Sequence, residues 1–382
     1  MAVKVGLVGT GTVGGGCIDI LHNHKEDFLR HYGIDIELVR VCSREPEQAE
    51  AHGVADIFTE DFNDIINDPE IDIVIELIGG TGIAKQVILD ALNAGKNVVT
   101  ANKAVMATSG EEIMALAEEK GVELAFEASV GGGIPIIGPL KHSLIANEIS
   151  AVMGIVNGTT NYMLSAMTAS GVDYTTCLRE AQALGYAEAD PTADVEGYDA
   201  RRKLVLSANL AFGASVQEEE IPCFGISSVE KKDFAAWREL GRVCKLFVRA
   251  ERHEGRISAF VCPTLFPAAS PVAQTNGTGN LVTLRGARFG ELSFSGAGAG
   301  GYPTGSSVLS DCVDVIEGCP SFYVSRHEAK HIDNSAAAGR FYLRTGSETV
   351  CTGPITVAEA FARAERARSC GEPVFLARIE EE

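Results

Sequence analysis

At 382 residues the chain exceeds one average domain and has room for two or three. Its composition, 46% hydrophobic and 22% charged, is that of an ordinary globular protein, and 32 Lys plus Arg against 52 Asp plus Glu leave a formal charge of -20. Such a mean field repels phosphate, which argues against nucleic acids and anionic membranes as partners.

The first third alternates strand and helix. Val3–Gly9 reads as a buried strand, residues 14–31 as a helix, and Asp35–Cys42 as a second strand. Ile71–Leu77, Asn97–Thr100 and Glu123–Glu127 read as further strands, with helical segments at Ala84–Ala94 and Glu111–Lys120. This alternation predicts a doubly wound parallel sheet of Rossmann type over residues 1–140.

Near residue 140 the pattern changes. Strand-like runs at Glu148–Val156, Ile257–Pro263, Asn280–Gly286 and Gly290–Phe294 mix with helical runs at Asn161–Ala169, Asp199–Ala211 and Phe234–Leu246. They predict a second, α+β domain over 141–295, a type suited to catalysis and to dimerisation. Residues 296–320 read as a glycine-rich loop and helix returning to the nucleotide domain, and 321–382 as a short tail of strand, helix and strand. The ten cysteines are scattered without a Cys-x-x-Cys, no secretory leader opens the chain, and no apolar run approaches about 18 residues. The expectation is a cytoplasmic protein with reduced thiols.

Gly9-Thr10-Gly11-Thr12-Val13-Gly14 fits G-x-G-x-x-G between a strand and a helix. The glycines allow a tight turn, close approach of a pyrophosphate and close packing of helix on strand, while the helix N-terminus offers free N–H groups. A dinucleotide is expected here. The second strand ends Ser43-Arg44 with no carboxylate until Glu45, so Arg44 can meet a 2′-phosphate and the reading leans to NADP over NAD. The ordinary alternative is a solvated loop arginine.

Asp199 and Lys203 stand four apart on a predicted helix and share a face, with Glu188 and Asp194 in the loop before it. A lysine among carboxylates beside a nicotinamide suits proton and hydride exchange between an alcohol and a carbonyl. The bland reading is an exposed ion pair on a helix. Thr159 opens a helix, where capping is the usual role, and Asp190-Pro191 reads equally as turn chemistry. Glu127, before Gly131-Gly132-Gly133, suits a hard cation or a glycine hinge. His327 and His331 lack the Glu of a His-Glu-x-x-His zinc motif.

With these features in hand, the chain resembles the homoserine dehydrogenase family. The segments that carry the resemblance are Gly6–Gly14, Ala101–Ala104, Glu127–Pro135, Gly154–Tyr162, Gly185–Lys203 and Gly298–Thr304, in family order over about residues 1–320. The resemblance implies NAD(P)-dependent interconversion of L-aspartate 4-semialdehyde and L-homoserine, a step toward threonine, methionine and isoleucine, in a homodimer. It implies Lys203 as acid/base, oriented by Asp199, with Lys103 as a second lysine. Glu188, Asp194, Asp199, Thr159 and Tyr186 would hold the substrate. Gly9, Gly11, Thr12, Val13, Gly14, Arg44, Thr100, Lys103 and Gly300 would hold the cofactor. Glu127 with the carbonyls of Val130, Gly132 and Ile134 would match a site for a monovalent cation, Na+ or K+. The tail is too short for the regulatory βαββαβ (ACT) domain of many bacterial relatives. Two rivals remain: a related amino-acid or semialdehyde dehydrogenase with another substrate, and a non-catalytic dinucleotide sensor.

Overall fold

The apolar run of Val3–Val8 (β1) is followed by the glycine turn and by α1, Thr12–Tyr32, which ends where Gly33 adopts a left-handed φ of 70°. The computed structural model describes residues 2–144, 146–319 and 331–381. It divides into two compact units, Met1–Ser143 with Ala297–His327, and Leu144–Gly296 with Glu328–Glu382.

After α1 the first unit continues through β2 (Ile36–Cys42), α2 (Pro46–Ala51), β3 (Phe58–Thr59), α3 (Asn63–Ile66), β4 (Ile73–Glu76), α4 (Ile83–Asn93), β5 (Asn97–Thr100), α5 (Lys103–Lys120) and β6 (Leu124–Ala125). The six strands lie in the order β3-β2-β1-β4-β5-β6, all parallel. The order reverses at β1, so the crevice at the strands' carboxyl ends opens at the glycine turn.

The second unit begins with β7 (Ile149–Ile155), α6 (Gly158–Ser170), α7 (Tyr174–Ala183), α8 (Thr192–Val195), α9 (Tyr198–Phe212) and α10 (Lys231–Glu239). β8 (Arg242–His253), β9 (Arg256–Pro267), α11 (Pro271–Gln274), β10 (Gly279–Gly286) and β11 (Gly290–Ala297) follow. The chain then supplies α12 (Gly301–Ile316) to the first unit and returns with β12 (Ala338–Thr345), β13 (Glu348–Cys351), β14 (Ile355–Thr356), α13 (Val357–Ser369) and β15 (Val374–Ile379). The second sheet runs β11-β10-β7-β8-β9-β15-β12-β13, with β14 paired to β12. It is mixed: β15 is parallel to β9, whereas β10–β7, β7–β8, β8–β9, β12–β15, β12–β13 and β12–β14 pair antiparallel.

The Rossmann-like parallel sheet and the second mixed unit agree with the fold class expected from the alternation of elements. One expected helix runs into a strand. The helix expected over Phe234–Leu246 ends at Glu239, and Arg242–His253 is a strand paired along its length with β9. Gly241, at φ 66°, is the break, because only glycine takes that backbone readily. The C-terminal segment also does more than a tail: β15 and β12 extend the second sheet beyond β9. Part of that segment, 320–330, lies outside the described residues.

α12 completes the core of the first unit. Val308, Leu309, Cys312, Val313 and Val315 pack with Val5, Leu7, Cys17, Ile18 and Ile73. The two helices approach through glycine. A Cβ on Gly16 would stand 2.2 Å from the Gly301 oxygen, and one on Gly305 would stand 3.0 Å from the Cys17 nitrogen.

Candidate active site

The nucleotide end is built by the turn between β1 and α1. Gly9 has φ 108°, and a Cβ there would lie 2.7 Å from the Leu77 carbonyl carbon and oxygen. A Cβ on Gly14 would fall 1.9 Å from the Gly9 oxygen, whereas Gly11 faces open space. Two glycines are thus needed for the turn's own packing and the third keeps the approach clear. Thr12 and Val13 open α1, whose N-cap, Gly11, brings no side-chain acceptor, so the first N–H groups stay available to an anion. Gly300, at φ 125°, caps α12 in the same unit, and Gly301 comes close enough to α1 that a Cβ would sit 2.7 Å from the Thr12 oxygen.

A cavity of about 590 Å³ opens beside this turn, lined among others by Gly9, Gly11, Ser43, Arg44, Leu77 and Ile78. Arg44 is exposed and makes no ion pair among the described residues. The Ser43 hydroxyl accepts from Thr10 at 2.7 Å and from the Glu45 N–H at 3.1 Å. Glu60 and Asp61 line the same cavity, so a 2′-phosphate there would meet both signs of charge.

Across the sheet, Thr100 ends β5 and Lys103 begins α5, with Asn102 as its N-cap accepting from Val105 N–H. Thr100 donates at 2.6 Å to Glu76, a fully buried carboxyl that also accepts from Ile78 N–H at 2.7 Å. Burial pushes the Glu76 carboxyl up to about 7, against the opposing hydrogen bonds from Thr100 and Ile78. Asn102 donates to the carbonyls of Ile78 and Gly80. Glu76 and Asn102 therefore tie the loop lining the cavity to the start of α5. Neither was singled out from the sequence.

Glu127 is buried, and its carboxylate accepts from the N–H groups of Ile136 at 2.6 Å, Ile137 at 2.9 Å and Gly138 at 2.5 Å. Burial raises its pKa, opposed by these three donors. The carboxylate thus has a backbone role of its own. Val130, Gly132 and Ile134 follow in the same turn, where Gly131 and Gly132 have φ of 76° and 60°. Gly132 O accepts from Ser307 at 2.7 Å, which uses one of its two lone pairs. Carbonyl oxygens are the kind of ligand a hard cation takes, whereas the Glu127 carboxylate is already engaged by three N–H donors.

The residues expected to hold the substrate lie within the second unit. The chain leaves β7 at Val156 and enters α6 through Asn157, whose side chain accepts from Thr160 N–H at 2.9 Å. Its other end, Nδ2, donates to Asp194 Oδ1 at 2.7 Å and to Asp199 Oδ2 at 3.0 Å. Lys203 Nζ donates to the same Asp199 oxygen at 2.8 Å and to the Val156 carbonyl at 2.7 Å. Asp199 and Lys203 are 7% and 9% exposed, which removes the solvent-exposed ion pair as an account of them. Burial raises the Asp194 pKa, and nearby Asp199 adds to it.

Of the other expected substrate groups, Thr159 donates to the Tyr186 carbonyl at 2.5 Å, and the exposed Tyr186 ring sits 5.0 Å from that of Tyr162. Glu188 is exposed, and only its carbonyl is engaged, by Gln182 at 3.0 Å. Asp190 accepts from Thr192 N–H at 3.1 Å, in keeping with turn chemistry. His331 pairs with Glu220 at 3.0 Å, and His327 lies outside the described residues. In this cluster the residue missed is Asn157. An Asn between an apolar strand and Gly-Thr-Thr signals a cap, but nothing local signals its reach to two carboxylates.

Residues 9–127 match the family model for the homoserine dehydrogenase NAD binding domain, and residues 135–313 match that for homoserine dehydrogenase. The chain belongs to the homoserine dehydrogenase family. It is 45% identical over 319 residues to homoserine dehydrogenase of Pseudomonas aeruginosa, covering 84% of this chain and 73% of that one. To the Bacillus subtilis enzyme it is 42% identical over 317 residues, covering 83% and 73%. A homoserine dehydrogenase crystal structure from Thiobacillus denitrificans superposes with a TM-score of 0.92 at 36% identity, covering 100% of this chain and 99% of that one. Membership makes the protein an oxidoreductase acting on a CH–OH group with a nicotinamide cofactor, and it disfavours both rival readings. No described helix is long and apolar enough to cross a membrane.

Proposed function

We propose that the Asn157 cluster is the acid/base and substrate half of a homoserine dehydrogenase site, with Lys203 as the group that exchanges a proton with the reacting oxygen. The observation that carries this reading is the buried Lys203 ammonium, bonded to Asp199 and to the Val156 carbonyl. Bound nicotinamide supplies or accepts the hydride. Toward the alcohol, Lys203 stabilises the charge that develops on the aldehyde oxygen and then donates a proton; toward the aldehyde, it must first be neutral. Asp199 fixes the ammonium's direction, and Asn157 bridges Asp199 and Asp194, offsetting part of their repulsion.

The substrate is an amino acid, so it brings an ammonium and a carboxylate. Asp194, with Glu188 from the neighbouring loop, suits the ammonium. The open end of α6 at Gly158 and Thr159, beside Tyr186, suits the carboxylate. Gly9, Gly11, Thr12, Val13, Gly14, Thr100, Lys103 and Gly300 would hold the cofactor, and the exposed Arg44 favours NADP over NAD. The carbonyls of Val130, Gly132 and Ile134 would hold a monovalent cation beside Glu127. A homodimer is supported by β11, an edge strand with seven of its eight residues exposed. Cytoplasmic placement and a step toward threonine, methionine and isoleucine complete the reading.

The test is L-homoserine oxidation, followed by absorbance of reduced nicotinamide and run separately with NAD and NADP. Lys203→Ala should abolish turnover while leaving coenzyme affinity within about twofold, and Asp199→Ala should lower kcat by about a hundredfold. Wild-type turnover in Lys203→Ala would remove this lysine from the chemistry.

A further inference from the structure

Lys245 sits on β8 with no exposed surface, and among the described residues no carboxylate bonds it. A buried ammonium is ordinarily matched by an anion, because leaving water is expensive for a bare charge. Here Nζ meets four neutral oxygens: Asn161 Oδ1 at 3.0 Å and Ser165 Oγ at 3.2 Å on α6, and Thr275 O at 2.6 Å and Asn276 Oδ1 at 3.2 Å on the loop before β10. The burial pushes its pKa down to about 8. A methionine would fill the same space without this desolvation, so packing does not explain the residue.

What the ammonium joins does explain it. Asn161 is one turn into α6, and its N–H bonds the Asn157 carbonyl at 3.2 Å. Its amide nitrogen also donates to the loop, at Thr275 O (3.0 Å) and Gly279 O (2.9 Å). The loop presses on the helix start: a Cβ on Gly158 would lie 3.0 Å from Thr278 O. We propose that Lys245 is a positioning residue of the reaction, clamping the first turn of α6 to the Thr275–Gly279 loop and thereby fixing Asn157 and Thr159 where the substrate is held. The proposal rests on the reading of the Asn157 cluster as the substrate half-site. The chain of contacts runs from Lys245 to Asn161, through one helical turn to Asn157, and on to Asp199 and Lys203.

The test separates positioning from bulk stability. Lys245→Met, which keeps the stem and removes the donor, should raise KM for L-homoserine about tenfold while leaving coenzyme KM unchanged. Asn276→Ala, a change at an exposed loop residue that removes one acceptor, should raise the same KM about two- to threefold in a fully folded protein. The double variant should be no worse than Lys245→Met alone. If Lys245→Met does not fold, Asn276→Ala decides. Wild-type homoserine KM in the folded variants, or equal changes in both KM values, would overturn the proposal. A wild-type protein that leaves homoserine untouched would overturn the reading of the site instead.

Discussion

Asn157 shows how one side chain can hold a site together. It caps α6 with its oxygen and bridges Asp194 and Asp199 with its nitrogen. Asn157→Ala should lower kcat with homoserine by about ten- to a hundredfold, with a loss of about 1 kcal/mol in folding stability from the missing cap. Kinetics and thermal unfolding on one sample check both. Glu76 makes a prediction through pH. Burial raises its carboxyl from the ordinary 4.5 to about 7 in the folded protein. The stability it contributes is therefore fully present below the unfolded pKa and is lost as pH rises through 7, a swing of roughly 3 kcal/mol. Glu76→Gln should flatten the stability slope between those pH values, measured by urea unfolding; an unchanged slope would place the proton elsewhere. At this scale the spacing of Asp199 and Lys203 was legible because helical periodicity is local. Asn157 and Lys245 were not, since their partners lie up to 42 and 84 residues away.

At the scale of elements, boundaries followed their chemistry. The glycine turn, β5 and β10 were readable from apolar runs and the glycines beside them. The start of α5 was not: the expected helix began at Glu111, yet Asn102 caps it before Lys103. The α10–β8 boundary was misread because Trp237, Leu240 and Val243 continue a helical spacing past Gly241, and the pull of β9 on β8 is a tertiary effect. Contact between α1 and α12 supplies the prediction here. Gly16→Ala would put a methyl 2.2 Å from the Gly301 oxygen, with backbone on both sides and no flexible chain to yield. It should destabilise the first unit by about 1–3 kcal/mol and weaken coenzyme binding, because the shift is felt at Thr12 and Gly300. Thermal melts with and without coenzyme would show it. A wild-type melt would mean that the helices separate freely.

For the whole molecule, the sheet of the second unit is completed by the C-terminal segment. Asp233 caps α10 by accepting from Glu230 N–H at 2.8 Å, and it also takes a two-pronged bond from Arg344 on β12, at 2.8 and 3.0 Å. Tyr342 adds a third donor at 2.8 Å, and neither Asp233 nor Arg344 is exposed. Arg344→Met would strand a buried carboxylate and should cost about 3–5 kcal/mol, whereas the paired change with Asp233→Asn should recover a good part of it. Chemical denaturation of the single and double variants measures the difference. Length announced two or three domains and the change of pattern near residue 140 a second one, but not that the last strands belong to the second sheet, because a strand's partner is chosen by long-range pairing and not by its own residues.

The placement of α12 has a consequence for how the molecule is made. This helix supplies five residues to a core whose other members precede residue 130, yet the ribosome reaches it only after residues 144–296 of the second unit have been made. At about 5–20 residues per second, the N-terminal sheet waits on the order of ten to thirty seconds with one flank uncovered. During that interval Cys17 and Ile18 lack the cover that α12 gives them in the folded unit. Folding yield in the cell should therefore depend on translation speed through the middle of the message, a dependence that coenzyme cannot relieve until the closing helix has arrived.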